Sequence, residues 1–412
     1  MQPSTPRRAS WLWAALLLAT PAAASTVDVS LTGVTQVRPT IQNAEERSFA
    51  PFVAQLGLKV REPQLWVFDD VRAELSAWGR LSLVDTTSAG DLDLAYISAK
   101  ALDKRLTLTL GRQFRTGGAA RALQLDGLTA EARLPVNLGL TAYGGAPVIS
   151  RFALAKGDAT WGGRLFWRPS WETEIGASYF ELMNVGYTAR RDVGIDFRTQ
   201  FFRRLSVSGL GVMSLLEMRL AELDLNARFA ASSKVEIIGN FRQTSPDLFL
   251  SRTSIFSTFA DISRTEGGLG VGYTPTQQWN TMLDGRLLSI SEGLGYDVRG
   301  SIGWQPTRNA SAQLQVVRLG LPSNAYTRGR LAGRYTFGQV MLVGDIDAAL
   351  FDAPINGRTT TLQGQVTARV ALGSNFELLL SGLAATDPLF AQRFEVLGRV
   401  VYTFRHHTET SR

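Results

Sequence analysis

Three stretches of the chain alternate strictly between apolar and polar residues, and this period-two pattern is the strongest constraint on its fold. Residues 221–229 read AELDLNARF, residues 296–305 read YDVRGSIGWQ and residues 360–370 read TTLQGQVTARV. Successive side chains of a β-strand point to opposite faces, so these segments form strands with one apolar face and one wet face. The 39 glycines also suit many extended segments joined by tight turns. The chain is therefore predicted to be all-β.

The connections between the predicted strands alternate between short and long. Short turns are expected near residues 62–63, 103, 135, 169, 202, 232, 275, 306–307, 338 and 373, and longer segments at 38–47, 85–90, 113–122, 145–158, 182–190, 214–218, 244–264, 290–294, 320–326, 351–358 and 385–392. Short periplasmic turns on one rim and longer extracellular loops on the other are typical of an outer-membrane barrel. Counting hairpins predicts a closed antiparallel transmembrane β-barrel of about 22 strands, within a range of roughly 18 to 22.

Two further patterns favour a membrane barrel over a soluble sandwich. Large aromatic residues flank the short turns, as in an aromatic girdle at a membrane interface; they are Trp66, Trp167, Trp171, Trp279, Trp304, Tyr273, Phe201, Phe337, Phe376 and Phe404. In the clear strands the charges also fall on one parity. A charge that faces lipid at mid-depth costs roughly 2–4 kcal/mol, whereas a charge that faces the lumen stays hydrated.

The N-terminus predicts export from the cytoplasm. Arg7 and Arg8 precede an apolar stretch at 11–19, and Ala22 and Ala24 form a small-residue cleavage site, which is the pattern of a Sec-type signal peptide. The predicted organisation is a signal peptide at 1–24, an outer-membrane barrel at 25–404 and a polar C-terminal tail at 405–412. The expected location is the cell outer membrane, with outer-membrane lipid around the barrel.

Residues 393–404, RFEVLGRVVYTF, have one apolar face, which is expected to contact lipid, while the other carries charge. This closing strand is expected to pair with the first one, near 26–37, because an open edge cannot be left in hydrocarbon. Its ending, Tyr402-x-Phe404, resembles the C-terminal signal of Gram-negative outer-membrane barrels. That resemblance implies the barrel-insertion machinery as a partner, although here residues 405–412 follow the aromatic residue.

Residues 111–128, GRQFRTGGAARALQLDGL, resemble the third-hairpin region of bacterial porins, where a loop folds inward to narrow the pore. The resemblance implies a bend at Gly117 and Gly118, with Arg115 and Arg121 supplying positive charge at a constriction. The alternative is an ordinary glycine-rich extracellular loop. Elsewhere, Gly268, Gly270 and Gly272 on one inner face either leave room for a packed segment or mark a bend.

The period-two rule predicts which charged residues face the lumen. The candidate pore-lining residues are Arg115, Arg121, Arg198, Arg228, Arg286, Arg299, Arg330, Arg334, Arg369, Arg399, Glu131, Asp284, Asp297, Asp345 and Asp347. Opposite charges recur two residues apart, in Arg72 and Glu74, Glu131 and Arg133, Asp196 and Arg198, Asp284 and Arg286, and Asp297 and Arg299. A self-neutralising ladder is therefore favoured over an anion-selective channel, and Arg328, Arg330 and Arg334 are expected to pair with Asp345 and Asp347 on the next strand.

Several function classes find little support. No cysteine is present, and the two histidines, His406 and His407, lie beyond the predicted final strand, so a general base, a metal site and a cofactor site are not expected. The protein is therefore not expected to be an enzyme. The 38 Arg and five Lys are interleaved with 36 acids and not clustered, which argues against nucleic-acid binding.

The remaining hypotheses concern what fills or crosses the lumen. The strands begin soon after the cleavage site, without the plug domain that precedes the barrel in TonB-dependent transporters. A wide, plug-free barrel is similar in outline to exopolysaccharide-export porins of the myxobacterial type. That resemblance implies a conduit for exopolysaccharide secretion with periplasmic polysaccharide-export partners. One alternative is a general nutrient porin. Another is a structural, adhesion or motility-machinery barrel filled by a partner, which would engage the apolar loop at 244–264 unless that loop tucks into the lumen.

Overall fold

The computed structural model describes residues 26–42, 45–82, 87–148, 157–248, 263–388 and 392–407. Within these ranges nearly every residue belongs to one continuous antiparallel sheet. Among the described residues, no helix has the length and apolar character needed to cross a membrane. Three short 3₁₀ turns, at Gly118–Ala120, Pro135–Asn137 and Pro246–Leu248, lie in the connections that follow β6, β7 and β14. The predicted all-β fold is confirmed.

From β4 to β22 each strand pairs with both of its sequence neighbours, as expected for a meander in which short connections join antiparallel strands. The strands are β1 (Thr26–Gln42), β2 (Glu45–Phe49), β3 (Pro51–Glu62), β4 (Asp70–Ser82), β5 (Ser88–Ala101), β6 (Leu106–Thr116), β7 (Ala122–Arg133), β8 (Leu138–Pro147), β9 (Gly157–Ser170), β10 (Thr173–Asn184), β11 (Tyr187–Phe201), β12 (Leu205–Ser214), β13 (Arg219–Ala230), β14 (Val235–Thr244), β15 (Arg264–Thr276), β16 (Trp279–Ile290), β17 (Gly293–Thr307), β18 (Ala310–Gly320), β19 (Ala325–Phe337), β20 (Val340–Ile355), β21 (Arg358–Leu372), β22 (Phe376–Thr386) and β23 (Arg393–His407).

The first and last strands close the sheet into a barrel. β1 pairs antiparallel with β23, from Thr26 opposite His407 to Val37 opposite Val396. On its other edge β1 pairs with β3 and, beyond a break at Ala50, with β2, so these two segments form one wall strand. The result is a closed antiparallel barrel of 22 strands, as predicted, and its closure leaves no free edge between the two ends of the chain.

The two faces of the wall differ in chemistry. Leu283, Val316 and Leu331 are among many large apolar residues that remain exposed on the outer face. The predicted aromatic girdle is also exposed beside the short turns, and two of its members, Trp279 and Trp304, stack with ring centroids 5.8 Å apart. The opposite face carries the charged and hydroxyl side chains. An apolar outer band with aromatic residues at its rim is the arrangement that a lipid environment requires.

Some boundaries differ from the sequence prediction. Three connections expected to be longer are two-residue turns, at 185–186, 291–292 and 356–357, because the flanking strands run further than their alternation indicated. β23 likewise continues to His407, three residues into the segment predicted as a polar tail at 405–412. There Arg405 pairs with Asp28 of β1 at 2.6 Å. The remainder of the tail, together with the predicted signal peptide at 1–24, lies outside the described residues.

Gly268, Gly270 and Gly272 of β15 lie on the inner face, and side chains of the neighbouring strand take up the space beside them. A Cβ atom at Gly268 would lie 2.6 Å from Cγ of Arg286, and one at Gly270 would lie 2.9 Å from Cε of Met282. The glycines therefore allow two long side chains of β16 to lie flat along the wall.

Candidate functional site

The hairpin between β6 and β7 folds into the barrel instead of extending from its rim. Gly117 and Gly118 both have positive φ, 99° and 59°, which permits the sharp inward bend. The following alanines, Ala119 and Ala120, are buried against the inner wall. The expectation of an inward-folded loop at 111–128 is therefore met, and an ordinary loop on the rim is not what forms.

Three polar contacts hold the hairpin tip against strands that are distant in sequence. The backbone N–H of Ala119 donates to Oγ of Ser178 on β10 at 2.8 Å. Nη2 of Arg190 on β11 donates to the carbonyl oxygen of Ala119 at 3.1 Å. Arg121 forms an ion pair with Glu222 on β13, with Nε 2.6 Å from Oε2. The tip thus crosses the inside of the barrel from β6 and β7 to β10, β11 and β13.

Apolar packing supports these polar contacts. The buried cluster around the tip contains Ala119, Ala120, Leu123, Leu125, Phe180, Val212 and Ala221, with Tyr143, Leu182, Leu210 and Leu248 packed against it. All of these residues lie between the hairpin tip at Ala119 and the 3₁₀ turn at Pro246–Leu248, a span that includes β7 to β14 of the 22-strand wall. Burial of apolar side chains inside a polar lumen stabilises the docked position, at about 25 cal/mol per Å² of apolar surface removed from water.

The rest of the inner face carries a ladder of ion pairs. On β19 and β20, Arg328 pairs with Asp347 at 2.6 Å and Arg330 pairs with Asp345 at 2.5 Å. These two pairings match the prediction, whereas no carboxylate of the described residues lies within 4.0 Å of the basic group of Arg334. Because the paired charges neutralise each other, the ladder supplies a hydrophilic surface with little local excess of either sign.

Most of the predicted pore-lining residues lie on this inner face in ion pairs. Within one strand, Arg286 pairs with Asp284 at 3.3 Å and Arg299 pairs with Asp297. Across strands, Arg228 pairs with Glu236 at 3.0 Å, Arg369 with Glu377 at 2.5 Å and Arg198 with Glu174 at 4.0 Å. The favoured description, a self-neutralising ladder, agrees with these contacts.

Three of the opposite-charge pairs that recur two residues apart in the sequence are not ion pairs in the described structure. Arg72 pairs with Asp70 at 2.9 Å, and Glu74 pairs with Lys59 of β3 at 3.0 Å. Asp196 pairs with Arg164 of β9, while no ion pair joins Glu131 to Arg133 among the described residues. Lys59 reaches Glu74 on the neighbouring strand, and Arg164 reaches Asp196 two strands away, so partners on other strands share in neutralising the ladder.

A few charged residues of the lumen have no partner of opposite sign within the described part of the chain. Among them are Arg115, Arg133, Arg334, Arg399 and Glu131. Arg115 and Glu131 line a cavity of about 130 Å³ beneath the hairpin tip, together with Tyr143, Arg164 and Arg168. This cavity is the one place described here where the inner wall, the hairpin and unpaired charge come together.

Sequence reasoning did not identify the residues that receive the hairpin tip. Ser178 and Arg190 lie 59 and 71 residues from Ala119 in the chain, and neither belongs to a recognisable motif. Their inward parity was the only available signal, and many other polar residues share it. Most of the apolar loop expected at 244–264 lies outside the described residues, which end at Leu248 and resume at Ser263.

Comparison with known structures identifies other barrels of similar form. The chain is similar to the translocation pore of the P pilus usher PapC, with a TM-score of 0.50 and 9% identity over 93% of this chain and 100% of that chain. It is also similar to Pseudomonas aeruginosa OccK9 (OpdG), with a TM-score of 0.46 and 9% identity over 92% and 98% of the two chains. For Acinetobacter baumannii OccAB4 the TM-score is 0.43, with 11% identity over 94% and 100%.

No family model matches the sequence, and no curated protein matches it. At such low identities, the likeness to the usher pore shows the barrel fold and no more. Function therefore has to be argued from the lumen itself.

Proposed function

We propose that the protein is an outer-membrane channel for hydrophilic solutes, with the fifteen predicted inward residues lining its pore. The observation that carries this proposal is the contrast between the two faces of one closed wall. Large apolar side chains remain exposed on the outside, and a ladder of ion pairs covers the inside. A lumen surfaced in this way is compatible with water and polar solutes, and the outer face is compatible with acyl chains.

The proposed cargo is a hydrophilic polymer, exopolysaccharide, delivered by periplasmic polysaccharide-export partners. Two features support this version. A wall of 22 strands encloses a wide lumen. The buried cluster around the hairpin tip takes its residues from one side of that wall, between Ala119 and Leu248, so the docked hairpin narrows the lumen from that side. Paired charges also suit a neutral or mixed-charge polymer, because no large field of one sign would hold it in the pore.

A specific observation favours a second version, uptake of small nutrients. The docked hairpin tip lies beside Arg115, which has no carboxylate partner within the described chain and lines the cavity beneath the tip. A constriction with an unpaired arginine would select small solutes by size and charge.

Planar-bilayer conductance of the refolded mature protein tests the channel itself. A large conductance that scales with salt concentration supports an open pore, whereas absence of current from correctly folded protein contradicts it. Adding neutral polymers of increasing size to one side then measures the limiting pore diameter. A pore that admits long polymers supports the export version, and a sharp cut-off at small solutes supports nutrient uptake. In cells, normal surface polysaccharide after deletion of the protein would overturn the export version.

A further inference from the structure

The barrel wall is split between β5 and β6 on the half that carries the tip of the β6–β7 hairpin. These strands pair only between Ala95–Ala101 and Leu106–Arg112. Beyond that point β5 stays paired with β4 up to Ser88, and β6 stays paired with β7 up to Thr116. β5 and β6 therefore diverge from each other, while β5 stays paired with β4 and β6 stays paired with β7.

Backbone irregularities mark the start of the split on both sides. Gly111 has φ of 119°, and a Cβ atom there would lie 2.2 Å from the carbonyl oxygen of Ala95, so only glycine fits. On the other side, the register between β4 and β5 shifts where Ser76 and Ala77 face Leu94 and Leu92. Such bulges bend a strand and end its pairing.

Docking of the hairpin tip accounts for the direction of the split. β6 and β7 are drawn inward because Ala119 and Arg121 contact Ser178 and Glu222 on the inner wall. β5 instead follows β4, with which it stays paired up to Ser88. The split is thus built into the same hairpin that narrows the lumen.

Between the diverging parts of β5 and β6, side-chain hydrogen bonds take the place of the missing backbone ones. Nη1 of Arg112 donates to the carbonyl oxygen of Leu92 at 2.8 Å, and Gln124 donates to the carbonyl oxygen of Asp93. Arg112 is held in place by two 2.8 Å hydrogen bonds to the carboxylate of Asp126 and by Asp91 at 3.4 Å. We refer to Arg112 and Gln124 together as the latch. A backbone ladder can separate only by losing many bonds together, whereas the latch can open by rotation of two side chains.

The outer surface around the latch is apolar. Leu110 and Phe114, two residues to either side of Arg112 on β6, are 64% and 54% exposed, and Leu128 on β7 is 49% exposed. The polar latch therefore lies within the band that faces acyl chains. On the same strand, three residues beyond Arg112, Arg115 faces the lumen in the cavity that Glu131, Tyr143 and Arg164 also line, and no carboxylate of the described chain lies within 4.0 Å of its basic group.

We propose that this split is a lateral opening of the barrel that admits an amphiphile with one acyl chain and an anionic head group. The chain would lie against Leu110, Phe114 and Leu128 and pass between β5 and β6 when the latch opens. The head group, a carboxylate or a phosphate, would pair with Arg115. This opening is separate from the axial pore proposed above, and neither proposal requires the other.

Photolabelling in phosphatidylcholine vesicles tests the opening. The probes are palmitic acid carrying a diazirine on its chain and, as a neutral control, the corresponding diazirine alcohol. Labels are mapped by mass spectrometry and compared with the fully paired seam between β21 and β22.

We expect several-fold enrichment of label at 92–94 and 112–116. The enrichment should be stronger for the acid than for the alcohol, and Arg115→Gln should remove this preference for the acid. Equal labelling of both seams would overturn the proposal. A phosphate-headed probe run in parallel distinguishes the two head-group chemistries.

A covalent cross-link between β5 and β6, called the staple, supplies a second readout. The chain contains no cysteine, so introduced cysteines are the only thiols that the reagent can join. Asp91→Cys with Thr116→Cys, joined by a short bifunctional thiol reagent, should abolish enrichment at the split and leave the axial conductance unchanged. Each single-cysteine variant treated with the same reagent is the control. Enrichment that survives the staple would also overturn the proposal. Failure of the channel proposal would appear instead as absence of current in the unstapled protein.

Discussion

Arg121, at the tip of the β6–β7 hairpin, lies 2.6 Å from Glu222 on β13, on the far side of β8 to β12. Both side chains are shielded from solvent, with 13% and 18% of their surface exposed. The pair joins two parts of the wall that share no backbone hydrogen bond. Together with the hydrogen bonds of Ala119 to Ser178 and Arg190, it holds the hairpin across the lumen.

Replacing Glu222 with Gln is expected to release the hairpin tip. Removing one partner of a shielded ion pair costs about 3–5 kcal/mol, because the other charge is left without compensation. Single-channel recordings should then show a higher conductance and added current noise. The control is Asp247→Asn, which breaks the exposed pair of Arg219 and Asp247, also attached to β13. An exposed pair contributes about 0–1 kcal/mol, so conductance should stay unchanged. Identical currents in both variants would contradict a gating role for the tip.

The ladder on β19 and β20 predicts ion selectivity. Asp345→Asn with Asp347→Asn leaves Arg328 and Arg330 without their partners on an inward face. The lumen then gains two uncompensated positive charges, and the reversal potential under a salt gradient should shift toward anions. The matched control is Asp352→Asn, which removes the partner of Arg318 near Tyr296 on the outward face. No shift is expected from that variant, and equal shifts in both would argue against the assignment of faces.

Much of this wall could be predicted from the sequence because the face on which a side chain lies depends only on its position along its own strand. Alternation of residues such as Val366 and Gln365 decides which side chain faces lipid, and no distant contact is needed to infer it. Closure between Thr26–Val37 and the last strand followed from the cost of an open edge. The pairing of Arg330 with Asp345 followed from adjacent inward positions on consecutive strands.

The hairpin contacts and the split could not be predicted in the same way. Ser178, Arg190 and Glu222 receive the tip only because the barrel curves them toward it, and curvature is a property of the whole closed sheet. The split depends on Gly111, whose role at positive φ is not distinguishable in sequence from that of glycines such as Gly382, which lies in an ordinary strand. Two-residue turns such as Asn356 and Gly357 were predicted as longer loops. The strands on either side continue beyond the membrane, where the thickness of the bilayer does not limit their length.

Two glycine substitutions test whether side chains fill the space beside the inner face at Gly268 and leave the space beside the outer face at Gly382 empty. Gly268→Ala places a methyl group 2.6 Å from Cγ of Arg286 and 2.8 Å from the carbonyl oxygen of Gly285, so the strands must move apart or Arg286 must leave the wall. Overpacking of this kind costs typically about 1–3 kcal/mol. At Gly382 nothing lies within 4 Å of a new Cβ, and Ala should stabilise the strand by roughly 0.5–1 kcal/mol. Guanidinium unfolding from lipid vesicles measures both, and a loss of stability in Gly382→Ala alone would contradict the described packing.

The orientation of the wall in lipid is tested by two adjacent positions on β21. Val366 is 64% exposed on the outer face, in the middle of the strand, while Gln365 faces inward and donates to Oγ of Ser381 at 2.8 Å. Val366→Arg would place a guanidinium among acyl chains and should destabilise the barrel by about 2–4 kcal/mol in vesicles. Gln365→Arg keeps donors for Ser381 and exposes its charge to water in the lumen, so its unfolding free energy should change by less than about 1 kcal/mol. Repeating both measurements in lipids of shorter chain length adds an internal check, because a thinner bilayer should reduce the cost at Val366 and leave the cost at Gln365 unchanged. If both variants lost stability equally, the face of β21 assigned to lipid would be wrong.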